Sequence, residues 1–186
     1  MISEEFQPGR AFARHLDETD PLAHFRQAFV VAETDLIYLD GNSLGRLPRP
    51  TGERLQAVVE KEWGQDLIRS WNAGWYGAPA RLGDKLAPLL GASPGQVVVG
   101  DSTSVNLFKL VMAALALRPD RKRIISDTLN FPSDLYILQG CSRLAGEGHR
   151  LHLVPSTDGI AVEPGDLWDA IDGRTALVTP VSYTHL

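Results

Sequence analysis

The residues of this chain that could do chemistry gather in two short stretches. In the first, Gly100-Asp101-Ser102-Thr103-Ser104-Val105-Asn106, a glycine turn leads into three hydroxyl side chains. After it, Val105, Phe108, Val111/Met112 and Leu115 recur every three or four residues, the one-sided stripe of a helix packed on a sheet. Ser102, Thr103 and Ser104 therefore fall in a first helical turn, where backbone N–H groups lack intrahelical partners and the macrodipole is positive. Such a turn can bind an anion such as a phosphate through backbone and hydroxyl donors together. Capping of the helix by Asp101 or Ser102 accounts for the same residues without a ligand. In the second stretch, Asp127-Thr128-Leu129-Asn130-Phe131-Pro132-Ser133-Asp134, Phe131 is held extended by the following proline, and Ser133 and Asp134 open the next helix. A planar ring could stack on Phe131 and turn its polar edge to Asp134. With a phosphate on the hydroxyl turn, the two loops describe a pocket for a flat phosphorylated heterocycle. A helix cap with a hydrophobic staple is the plainer reading.

The elements that must hold these loops alternate. Strands are predicted at 97–99, 123–126, 151–154 and 175–178, and helices at about 102–117, 133–144 and 166–171. Strict alternation implies a parallel, right-handed α/β sheet, with ligands at the carboxyl ends of its strands, where both loops fall. Ahead of it, residues 1–10 read as a loose arm, and Asp20-Pro21 starts a short helix through Phe29. A strand at 36–39 runs into Asp40-Gly41-Asn42-Ser43-Leu44-Gly45, whose glycines allow positive φ or a close approach of backbone to a ligand. Helices follow at about 51–64 and at 79–90, the latter ended by Gly91. Between them, Trp71, Trp75 and Tyr76 punctuate a segment too irregular for a clean helix or strand, placed either to line a site or to fill a core under a loop. The expected division is an arm with a substrate-proximal turn over 1–50 and a sheet domain over 51–186.

Composition bounds the function. A net charge of -5, 44% apolar and 22% charged residues describe an ordinary soluble domain. They argue against a nucleic-acid surface, and the longest basic run, Arg121-Lys122-Arg123, reads as the solvated start of a strand. No apolar run approaches the roughly 20 residues that span a bilayer, so no membrane partner is expected and the setting is cytoplasmic by default. The single cysteine, Cys141, falls on a helix face as a buried thiol, and the histidines show no metal spacing.

Four motifs in register carry a family resemblance. Tyr38-Leu39-Asp40-Gly41-Asn42-Ser43-Leu44-Gly45, Glu62-Trp63-Gly64 with Leu67-Ile68-Arg69-Ser70-Trp71-Asn72, Asp101-Ser102-Thr103-Ser104-Val105-Asn106-Leu107-Phe108-Lys109, and Asn130-Phe131-Pro132-Ser133-Asp134-Leu135-Tyr136 resemble bacterial kynureninase in order and spacing. The resemblance runs from about Pro21 to about Val178. It implies the large domain of a fold-type-I, pyridoxal-phosphate-dependent transferase, with an N-terminal helical arm. It also implies a cytoplasmic homodimer that cleaves L-kynurenine to anthranilate and L-alanine, or the 3-hydroxy substrate to 3-hydroxyanthranilate. By position, Thr103 and Ser104 would hold the cofactor phosphate, Phe131 would stack on the pyridine ring, and Pro132, Ser133 and Asp134 would complete that loop. Asn42 and Ser43 would lie near the substrate and Trp71 would contact its aryl ring.

The chain departs from the family in two respects. The family's cofactor lysine, in a Tyr-Lys-Tyr-Leu-Asn segment, and the Asp that pairs with the pyridine nitrogen have no counterpart, because Lys61, Lys85, Lys109 and Lys122 stand in other contexts. The resemblance thus implies roughly the first half of a kynureninase, inactive by itself. The family's Ser/Thr-His-Val after the last strand is matched here only by Thr184-His185, about three residues late. Cysteine desulfurases and small-amino-acid aminotransferases share the strand-turn-helix cradle and form one alternative. A non-catalytic module that binds a phosphorylated ligand forms another.

Overall fold

Phe12 and Leu16, four residues apart, are the half-buried positions of a first helix, α1 (Arg10–Thr19), in a computed structural model that describes residues 7–33, 35–41 and 43–180. The sequence reading passed over this helix because two apolar positions make a faint stripe and Gly9 supplies no side-chain cap. The described residues form two compact units, divided between Tyr76 and Gly77.

In the first unit, the Asp20 carboxylate accepts the Leu22 N–H at 2.8 Å and starts a tight 3-10 turn over Ala23–Ala28, where a short helix was expected. The strand expected at 36–39 is not formed. Ile37 and Leu39 are exposed, and among the described residues no neighbouring strand takes up their backbone groups. Helix α2 (Arg49–Ala57) enters through Pro50 in its first turn and loosens into a π-helical turn over Val58–Trp63. A second π-helical turn covers Trp71–Trp75, in line with the irregularity expected there.

In the second unit, α3 (Ala78–Leu86) passes into a 3-10 turn that Gly91 closes in the left-handed conformation, φ 66°. The strand expected at 97–99 is also absent. Val99 N–H donates to the Pro79 carbonyl at 3.2 Å, and the Val97 backbone lies against Gly83, so this segment spends its backbone contacts on α3. Helix α4 (Thr103–Leu117) then buries the second half of the expected stripe, Val111 and Leu115 with Met112 half-buried, while Val105 and Phe108 in its first half are exposed. After it come β1 (Arg123–Asp127), α5 (Pro132–Leu144), β2 (Arg150–Val154), α6 (Pro164–Ala170) and β3 (Thr175–Val178).

The three strands form a parallel sheet in the order β2-β1-β3, with Ile124 beside Leu151 on one side and Leu177 on the other. Because β2 and β3 flank β1, right-handed crossovers place α5 and α6 on opposite faces, and the winding reverses at β1. Helix α4 packs on α5 and β3. Val111, Leu115, Ile124, Leu138 and Cys141 form the core between these helices and the sheet. Burial pushes the Cys141 thiol above its ordinary value. The basic run starts β1 as expected, with Lys122 exposed, and its side chains are also tied down. Arg121 reaches the Thr175 carbonyl at 3.2 Å, Lys122 the Glu147 carbonyl at 3.4 Å, and Arg123 the Asp172 carboxylate at 3.0 Å.

Asp172 joins the starts of β1 and β3, since it also accepts from Arg174 Nη2 at 2.8 Å. The Arg174 side chain and N–H, with the charge of Arg123, hold its carboxyl below the ordinary value of 3.8. A depressed carboxyl contributes stability that is fully present above its ordinary value and is lost as the pH falls through the folded one. Asp172→Asn should therefore lower the melting temperature at neutral pH. The gap from wild type should close as the pH falls below about 4. A gap independent of pH would show that the carboxylate's charge is not what matters.

Candidate functional site

Short connections at 118–122 and 128–131 join α4 to β1 and β1 to α5, so both helices run back along the sheet and begin at the carboxyl end of β1. The two loops singled out in the sequence therefore open at the same end of the sheet, where the winding reverses. At α4, Ser102 is the N-cap and its hydroxyl accepts the Val105 N–H at 3.4 Å. Capping and anion binding are not exclusive here, because the N–H groups of Thr103 and Ser104 find no partner among the described residues. The turn before the cap is locked. Asp101 sits in the left-handed region at φ 51° and pairs with Lys109, and the Asn106 amide donates to the Gly100 carbonyl at 2.7 Å. Thr103 is exposed and Ser104 half-buried.

The second loop is tied to both neighbouring strands. Thr128 N–H donates to the Val154 carbonyl at 3.0 Å on the β2 side, while Ser126 Oγ donates to the Thr179 carbonyl at 2.9 Å beyond β3. Asn130 Nδ2 donates to Ser126 Oγ at 2.8 Å and to the Thr179 carbonyl at 3.2 Å. This lattice presents Phe131, 47% exposed, next to a buried polar floor of Ser126, Asp127, Asn130 and Asp134. Pro132 occupies the first position of α5, where its missing N–H costs nothing. Asp134, 6% exposed, lies in the first turn, where a negative charge is favoured, and accepts from Ser133 Oγ at 3.4 Å.

Asn130 is the residue whose importance the sequence reading missed. Its Oδ1 is buried and has no donor among the described residues, the sort of orphaned acceptor that costs about 1–3 kcal/mol unless a further group pairs with it. A ring face, an open helix N-terminus with two hydroxyls, a buried carboxylate and an unsatisfied acceptor at one sheet end fit a planar phosphorylated ligand. Its signal was an asparagine directly before Phe-Pro, which spacing alone cannot show to be buried.

The remaining sequence-predicted residues lie in the first unit. Trp71 is 51% exposed and meets Trp75 edge to face, with ring centroids 5.9 Å apart. Ser43 is exposed, and Asn42 lies outside the described residues, as does the Thr184-His185 pair. Of the two uses expected of the glycines around Ser43, a positive φ is not found. Neither Gly41 nor Gly45 has a positive φ, and a Cβ on either would meet nothing closer than 4.0 Å. Tyr38 closes the turn instead, its hydroxyl bonded to the Leu44 and Asp40 carbonyls and its ring 5.2 Å below the Arg46 guanidinium. Among the described residues no helix is long and apolar enough to cross a membrane.

No protein-family model matches the chain. Individual relatives do. It is 46% identical over 181 residues to the kynureninase of Burkholderia pseudomallei strain 1106a, and equally identical to that of Burkholderia mallei strain SAVP1, matches covering 94% of this chain and 42% of each relative. It is 49% identical over 175 residues to the kynureninase of Pseudomonas fluorescens, covering 90% of this chain and 40% of that protein. Over nearly all of its own length, and across about two fifths of theirs, the chain is similar to these kynureninases, in keeping with the resemblance carried by the four motifs.

Proposed function

We propose that this chain supplies the cofactor cradle and part of the substrate pocket of a pyridoxal-phosphate-dependent kynureninase. That enzyme cleaves L-kynurenine to anthranilate and L-alanine, as a cytoplasmic homodimer, in tryptophan breakdown. Identity of 46–49% to kynureninases over most of the chain carries this reading. Residues 51–186 are then the first part of a fold-type-I large domain, preceded by an arm and substrate-proximal turn over 1–50.

When bound, pyridoxal phosphate supplies an electron sink for bond cleavage beside the amino acid's α-carbon. The residues of this chain bind and orient. Thr103 and Ser104 give the phosphate their hydroxyls and open N–H groups, and Phe131 covers one face of the ring. The Pro132-Ser133-Asp134 start of α5 and the Asn130 acceptor line its polar edge. Asn42, Ser43 and Trp71 face the substrate, Trp71 with its aryl ring. Three of the four lysines are engaged in structure: Lys61 with Asp66 at 2.9 Å, Lys109 with Asp101, and Lys122 with the Glu147 carbonyl.

The test is anthranilate release from L-kynurenine, followed by fluorescence. The complete protein that carries these residues is expected to release it only with pyridoxal phosphate bound, whereas the 186 residues alone are expected to release none. Desulfuration of cysteine without action on kynurenine would overturn the substrate assignment.

A further inference from the structure

Glu62 stands at the centre of a contact set that the cofactor reading does not use. Carried on the π-helical turn after α2, its carboxylate pairs through Oε1 with the Arg54 guanidinium and accepts the Trp75 Nε1–H on Oε2 at 2.6 Å. Its backbone carbonyl accepts the hydroxyl of Ser70, which is buried directly before Trp71. The Trp75 ring so held is the one that Trp71 meets edge to face, at an interplanar angle of 76°. Glu62 thus fixes both ends of the Trp71–Trp75 turn, Ser70 through the main chain and Trp75 through the side chain. Arg54 and then Trp75 hold its carboxyl below the ordinary value, so the charged acceptor is the form present.

We propose that Glu62 is a positioning residue for recognition of the substrate's aryl group, bridging Arg54 and Trp75 so that the Trp71 ring is offered to the ligand in one orientation. This rests on the reading above that Trp71 faces the aryl ring of L-kynurenine. A carboxylate presents an acceptor to each of two donors, whereas an amide has one acceptor and one donor. In Glu62→Gln, either Arg54 or Trp75 must therefore lose its partner. Arg54→Met in the same chain removes the conflict and lets the amide oxygen face Trp75 again.

In the complete protein with cofactor bound, Glu62→Gln is expected to raise KM for L-kynurenine about tenfold and to change kcat by less than about twofold, the pattern of lost uniform binding. Arg54→Met/Glu62→Gln should return KM to within about threefold of wild type. A readout independent of activity is the far-ultraviolet circular dichroism couplet of the two edge-on indoles, identified as the signal that Trp71→Ala removes. It should collapse in Glu62→Gln and return in the double variant. An unchanged couplet and KM in Glu62→Gln would overturn the proposal, and so would a loss of couplet that the double variant fails to restore. If the couplet collapses while KM stays at the wild-type value in both Glu62→Gln and Trp71→Ala, the placing of Trp71 at the substrate is what fails, and the proposal falls with it.

Discussion

Thr103→Ala combined with Ser104→Ala is expected to raise the dissociation constant for pyridoxal phosphate by about two orders of magnitude or more, with the fold intact. Each hydroxyl would donate to a charged phosphate, and such bonds are worth about 1.5–3 kcal/mol apiece, so losing both costs at least the ~2.7 kcal/mol that two decades require. The fold survives because neither hydroxyl caps the helix: Ser102 does, and it remains. The open N–H groups of Thr103 and Ser104 also remain, so binding weakens rather than disappears. Ser102→Ala gives the contrast, costing α4 about 1 kcal/mol of cap while leaving both phosphate donors in place. Titration of cofactor absorbance, with thermal denaturation of the cofactor-free protein, separates the two effects. Wild-type affinity in the double variant would reduce the turn to a helix cap.

The second large effect is expected at Gly83. A Cβ there would lie 1.9 Å from the Val97 carbonyl oxygen, 2.6 Å from its carbon and 3.1 Å from Val98 N, all backbone atoms that no rotamer change can move aside. Val99 is bonded to Pro79 at the head of the same helix, so relief requires α3 and the 97–99 segment to part. Gly83→Ala should exceed the roughly 1–3 kcal/mol usual for overpacking and lower the melting temperature of the complete protein by about 3–6 °C. Gly140→Ala is the matched control. It lies inside α5 with nothing within 4 Å of the added carbon, and should stabilise by up to about 1 kcal/mol through helix propensity. Equal melting temperatures for the two variants would mean that the close approach at Gly83 relaxes freely.

The contrast between these glycines marks what could be read from residues in order. Helix α4 and strands β1, β2 and β3 lie within a residue or so of their expected limits, since each carries its own periodicity or β-branched run. The segments at 36–39 and 97–99 look just as strand-like in sequence, but a strand exists only where a neighbour takes its backbone groups, and that neighbour is not written in the segment itself. The loop residues were legible to different depths for a similar reason. Phe131-Pro132 and the Ser102 cap act within their own turn, whereas the burial of Asn130 depends on Thr179, 49 residues away, and Glu62 reaches Trp75 across 13. At the Asp40–Gly45 turn, the glycines stand out in the sequence, whereas the Tyr38 hydroxyl, bonded to the Asp40 and Leu44 carbonyls, does not.

The core thiol carries a practical consequence. Cys141 is the chain's single cysteine and is fully buried between α4, α5 and β1. Its raised pKa keeps the reactive thiolate scarce even on the occasions when reagent arrives. A thiol in that position cannot be alkylated until the helices lift from the sheet, so these residues hold a built-in clock. The rate at which an alkylating reagent consumes the thiol, divided by the rate for an unfolded peptide, reads the opening equilibrium of this layer without any engineered probe. Where other cysteines occur in the complete protein, peptide mapping singles out this one. Ligands that close the carboxyl end of β1 from above would announce themselves, residues away from any contact, as a slowing of that clock.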